Sequence, residues 1–161
     1  MLGFSALTHN LLFPVRTAPL AECRAVVDLI FVLDASGSIG EAGYSQMKSF
    51  VSQLINKMDM ESGNVRVGLL SFSSSVYVTV NLNAHTSRAA VRAALDNMRY
   101  SGERTNTSDA LAHVRRVMLQ QDAGDRANVP NVVVVLTDGG SNNKRATLVS
   151  FLTAVIHAHT L

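Results

Sequence analysis

Apolar residues fall into two kinds of run along this chain. From Val27 to Leu33, and again from Val132 to Leu136, nearly every position is apolar and many are β-branched. A short unbroken run of this kind predicts a strand covered on both faces, as in a parallel sheet. Elsewhere the spacing is helical. Met47, Phe50, Val51, Leu54, Ile55 and Met58 recur every three or four residues, which predicts a helix with one face on a core, ended by Gly63 and Asn64. Val65 to Ser71 reads as a further strand. Val76 to Leu82 alternates and is more polar, so it reads as a hairpin partner at a sheet edge. Thr86 or Ser87 can cap a helix carrying Val91, Ala94, Leu95 and Met98. The loop SGERTNT then leads into a helix with Leu111, Val114 and Met118. Asn128 to Asn131 is a turn, and Leu148, Phe151, Leu152, Val155 and Ile156 mark a last helix.

Buried strands alternating with helices mean an α/β layered fold. Each of the two most apolar strands leads into an aspartate, Asp34 and Asp138. In open α/β sheets, ligands sit beyond the carboxyl ends of strands where the strand order reverses. If these strands are neighbours there, both carboxylates face one crevice, and they repel unless something positive lies between them. The nearby polar residues are hydroxyls: Ser36, Ser38, Thr105 and Thr107, with Arg104 the only cation close in sequence. An all-oxygen set suits a hard divalent cation such as Mg²⁺, which takes six oxygens and keeps several waters. Gly37 and Gly40 allow the tight backbone that would turn Asp34, Ser36 and Ser38 the same way.

Composition narrows the classes. The 161 residues are 47% hydrophobic and 16% charged, enough for one domain with a real core. A net charge of +2 with scattered lysines and arginines gives no footprint for nucleic acid. No apolar stretch reaches the roughly 18 residues of a membrane helix. Residues 1–22 read as a poor signal peptide or an unstructured leader: Pro14 and Pro19 argue against a continuous helix, and neither a basic start nor a convincing small-residue cleavage site is present. The one cysteine, Cys23, has no partner within the chain. It is an ordinary thiol in a cytosolic protein, or an odd cysteine pairing outside the segment in a secreted one.

DLIFVLDASGSIG, SGERTNTSDAL and NVPNVVVVLTDGGS, in that order, resemble the von Willebrand factor type A (VWA) domain and its metal-ion-dependent adhesion site. Cys23 just before the first strand resembles the extracellular matrix branch, as in matrilins and non-fibrillar collagens. The resemblance implies a doubly wound, mostly parallel sheet flanked by helices, Rossmann-like, with one antiparallel edge strand. It implies Mg²⁺ or Mn²⁺ on Asp34, Ser36, Ser38, Thr105 and Asp138, with Thr107 capping the following helix. An acidic residue of a matrix or cell-surface protein would complete the shell. It also implies an extracellular setting and a partner for Cys23 outside this segment. Two departures stand out. Glu103 and Arg104 occupy positions where the family usually has glycines, placing a long cation beside a cation site. The family's last two strands and terminal helix have no counterpart before Leu161, so 23–161 is expected to be a VWA domain incomplete at its C-terminus, with the Val132–Leu136 strand at an edge.

Blander readings stand beside these. Asp34, Ser36 and Ser38 are also ordinary turn residues, and Asp138 could be a cap. Asn106-Thr107-Ser108 fits the glycosylation pattern but is expected to be unused, because a glycan would crowd the crevice. His85 and His113 read as surface residues, the methionines as core, and His157 and His159 do not share a helix face. The leading function is a cation-dependent adhesion module. The alternative is a structural VWA module with an idle metal site that binds through other surfaces. An enzyme is the weakest reading: SGSIG resembles a nucleophile elbow only loosely, and no P-loop is present.

Overall fold

The computed structural model describes residues 25–138. Four strands and three α-helices follow one another as β1 (Val27–Asp34), α1 (Gly40–Ile55), β2 (Val65–Phe72), β3 (Val76–Val80), α2 (Arg88–Asp96), α3 (Thr107–His113) and β4 (Asn131–Leu136). A π-helical segment, Val114–Met118, continues α3. The sheet order is β3-β2-β1-β4, with β1 parallel to both β2 and β4 and β3 antiparallel to β2. This is the doubly wound α/β sheet with one antiparallel edge strand that the family resemblance implied.

Alternation along β1 divides its side chains between two cores. Leu29, Phe31 and Leu33 pack with Val51 and Ile55 of α1 and Val91 and Leu95 of α2. Ile30 and Val32 pack with Ala110 of α3 and with Val114 and Met118. Because both faces are covered, β1 needs apolar residues at successive positions, which explains its unbroken run. Chain direction runs from β1 outward to β2 and β3, then returns to place β4 on the other side of β1. The order therefore reverses between β1 and β4, and a crevice opens beyond their carboxyl ends.

The other end of β1 is closed by an ion pair. Asp28 is fully buried. Its carboxylate accepts from Arg126 Nε at 2.8 Å, Arg126 Nη2 at 2.6 Å and the Arg126 backbone N–H at 3.0 Å. The same guanidinium also donates to the carbonyls of Gly63, Val27 and Asn64, so one side chain joins β1 to the α1–β2 connection.

Several expectations need correction. The run of β4 taken alone reads as covered on both faces, but the strand is only partly buried, with Val132 44% exposed, because no strand lies beyond it among the described residues, in line with the edge position that the family resemblance implied. Phe50 keeps the helical spacing but is 48% exposed, since α1 turns Tyr44, Val51 and Ile55 to the core. α1 ends at Ile55, well before Gly63, and β3 ends at Val80, before Leu82. His113 is not a plain surface residue: its Nε2 is buried and has no hydrogen-bond partner among the described residues. Ser87 is the cap of α2, its side chain accepting from the Ala90 N–H at 3.3 Å. The leader, Cys23 and the last expected helix lie outside the described residues. No helix among the described residues is long and apolar enough to cross a membrane.

Candidate metal centre

Strand β1 delivers Asp34 to the crevice fully buried, and the turn that follows wraps around its carboxylate. The Ser36 N–H donates to Asp34 Oδ1 at 2.9 Å. Beyond β4, the Thr137 hydroxyl donates to Asp34 Oδ2 at 2.7 Å. The Ser36 and Ser38 hydroxyls share a hydrogen bond of 3.3 Å; Ser36 is buried and Ser38 is exposed. Leu33 lies opposite Leu136 in the β1–β4 register, so the two acid-bearing strand ends are neighbours. Asp138, one residue past Thr137, is exposed at that end.

The loop carrying Thr105 is fastened to the same turn. Gly102 N–H and Ser101 Oγ both donate to the Ala35 carbonyl, each at 2.9 Å, and Gly37 N–H donates to the Glu103 carbonyl at 2.8 Å. Ser36 and Glu103 form an isolated parallel bridge. The strands approach so closely at Gly37 that a Cβ there would lie 2.9 Å from the Gly102 carbonyl oxygen. Gly40, at φ +70°, supplies the left-handed step that starts α1. On its far side the loop is held by Asn106 N–H donating to the Ser73 carbonyl at 2.8 Å. Thr105 is thereby buried against the crevice.

Thr107 does not cap α3. That role belongs to Asn106, whose Oδ1 accepts from the Asp109 N–H at 3.4 Å, while Thr107 is the first helical residue and is buried. Asparagine leads threonine among capping residues, and a cap precedes the first helical residue, so the asparagine was the readable signal. The structure also adds groups that spacing did not single out. Thr137 stands beside Asp138 in the motif, yet only its neighbour drew notice. Ser73, fully buried, donates its hydroxyl to Glu103 Oε2 at 3.2 Å. Neither role is legible in sequence, because each depends on a contact between distant segments.

Among the described residues no three histidine, cysteine, aspartate or glutamate side chains converge as a metal-binding group. A cation held at this crevice would therefore draw on hydroxyls as well as carboxylates. That donor set fits Mg²⁺ or Mn²⁺ better than a soft metal. Asp28 and Asp34 are both fully buried on one strand, but only Asp28 has a built-in cation, Arg126. Among the described residues Asp34 meets an N–H and a hydroxyl and no positive side chain. A buried carboxylate left without a counter-charge costs several kcal/mol.

Residues 28–158 match the von Willebrand factor type A domain. The chain belongs to the von Willebrand factor type A family. As a VWA domain it is 32% identical over 131 residues to the mouse (Mus musculus) collagen alpha-4(VI) chain, covering 80% of this chain and 6% of that one. It is 35% identical over 122 residues to mouse von Willebrand factor A domain-containing protein 2, covering 75% of this chain and 15% of that protein. Rat (Rattus norvegicus) von Willebrand factor is 31% identical over 120 residues, with 74% and 28% covered. The chain thus spans a small part of each relative. Among solved structures, proximal thread matrix protein 1 from the mussel byssus superposes with a TM-score of 0.77 at 23% identity, covering 83% of this chain and 36% of that one, which is a likeness of fold. Another structure of that protein, at TM-score 0.76, has a zinc-occupied MIDAS motif.

Proposed function

We propose that this VWA domain is a divalent-cation-dependent protein-binding module of an extracellular matrix-type protein. The observation that carries the reading is the asymmetry of β1: one buried acid has its own arginine, and the other faces a hydroxyl-lined crevice with no cation among the described residues. Asp34, Ser36, Ser38, Thr105 and Asp138 would hold Mg²⁺ or Mn²⁺. The ion would offset the buried charge and leave a position open for an acidic side chain of a partner. The zinc-occupied motif of the mussel protein supports a cation at this place in the fold. The collagen and von Willebrand factor relatives support a matrix setting and a binding rather than a catalytic role.

Thermal melts of the purified chain in Mg²⁺, Mn²⁺ or EDTA, alongside Asp34→Ala, test this reading. A ligand at a hundred times its dissociation constant adds about 2.7 kcal/mol of stability. The wild type is expected to melt higher with either metal, and Asp34→Ala to show no such response. A cooperative wild-type melt indifferent to both metals would sink the proposal. That result would favour a structural module with an idle site, a reading that the exposed cation Arg104 beside Thr105 supports.

A further inference from the structure

Glu103 and Arg104 stand at the lip of the crevice, and the structure gives their opposite charges different fates. Glu103 turns its carboxylate to the buried Ser73 hydroxyl, 3.2 Å away. Its own carbonyl accepts from Gly37, which fixes this stretch against the Asp34–Ser38 turn. The nearest acid in sequence is thus engaged elsewhere. Arg104 is exposed, and among the described residues it makes no hydrogen bond or ion pair. Its Cα is about 3.8 Å from that of Thr105, the loop hydroxyl assigned to the ion. The backbone beneath it is held on both sides, by Ala35 and Gly37 on one and by Ser73 on the other. A guanidinium is a planar fork that grips carboxylates in a bidentate manner, and here it sits on a positioned stem with no internal partner.

We propose that Arg104 is a specificity-determining residue that selects partners offering two acidic groups, one for the cation and a second for the guanidinium. The proposal rests on the cation-dependent reading above. A partner with a single acid would use only the ion. A partner with a basic residue next to its acid would be disfavoured by like charge.

The test is an NMR titration of the ¹⁵N-labelled 161-residue chain with synthetic peptides, in Mg²⁺ and in EDTA. The peptides are acetylated and amidated at their ends, so that their only acids are one glutamate, or two separated by zero to three glycines. In Mg²⁺ the wild type is expected to bind the best two-glutamate peptide about two- to fivefold more tightly than the one-glutamate peptide. Arg104→Ala is expected to abolish that preference. Arg104→Lys is expected to keep only part of it, since the charge remains without the fork. Equal binding of both peptide classes by the wild type, or an undiminished preference in Arg104→Ala, overturns the proposal and leaves the cation site standing. If Mg²⁺ alone perturbs no amide around Asp34 and Ser36, the cation reading has failed and the proposal falls with it. The metal-only titration makes that case recognisable.

Discussion

Single residues explain why β1 can carry an acid at each end. At the Asp28 end the charge is neutralised within the chain, and the Arg126 guanidinium also satisfies three backbone carbonyls. Arg126→Ala would strand a buried carboxylate, and the expected cost is about 3 kcal/mol, read by chemical denaturation. Replacing both partners by apolar residues of similar size is expected to cost less than the single change, because no buried charge is left unpaired. A double variant less stable than Arg126→Ala would contradict that account. Gly37 carries the corresponding weight at the Asp34 end. A methyl there meets the Gly102 carbonyl at 2.9 Å, and backbone on both sides limits relaxation. Gly37→Ala is therefore expected to destabilise the fold by about 1–3 kcal/mol and to weaken the stabilising effect of Mg²⁺ in a melt. An unaltered Mg²⁺ response would mean that the loop and turn need not be in register to hold the ion.

At the scale of elements, helix α3 was legible in part. Its apolar spacing marked Leu111, Val114 and Met118 as one face, and all three are buried. The π-helical geometry of Val114–Met118 was not legible, because that spacing fits either helix. Nor did spacing reveal the start of α3. The Asn106 side chain holds it from both ends of the amide: Oδ1 accepts from Ser108 Oγ at 2.9 Å, and Nδ2 donates to Asp109 Oδ2 at 2.7 Å. Asn106→Ala is expected to cost about 1 kcal/mol of stability, while Asn106→Asp, which keeps the accepting oxygen but sets a second carboxylate against Asp109, recovers only part of it. Equal stability of Asn106→Ala and wild type would remove the cap from the argument. The same geometry bears on the Asn106-Thr107-Ser108 glycosylation pattern. A glycan on Nδ2 would disturb its bond to Asp109 and crowd a loop fixed to the crevice. Mass spectrometry of the chain secreted from a glycosylating host is expected to find Asn106 unmodified.

For the whole molecule, what the sequence showed and what it hid have one physical cause. Hydrophobic runs report burial, so β1 and the two-sided core were readable. They report nothing about which strands are neighbours: by its run alone β4 looked as buried as β1, and its place at the edge of the described sheet was implied only by the family resemblance. Asp34, Ser36 and Ser38 were readable because they are contiguous; the hydroxyls of Thr137 and Ser73 were not, because their roles arise only when the sheet assembles. This architecture also dictates how cation binding should spread. The proposed ligands come from the ends of β1 and β4 and from the loop before α3, so releasing the ion is tied to unfolding of the central sheet rather than to fraying of one loop. Amides in the middle of β1, such as those of Ile30 and Phe31, are expected to exchange with solvent only through global opening. Their protection should then rise with Mg²⁺ by the same free energy that the melt reports. Amides on the open side of the edge strand β3, exchanging by local fraying, should not respond. Hydrogen exchange followed residue by residue, with Mg²⁺ and with EDTA, separates the possibilities. Protection gained around Ser36 to Thr105 but not at Ile30 or Phe31 would show that the ion orders a local loop, and that the buried acid at the end of β1 is not what couples the cation to the fold.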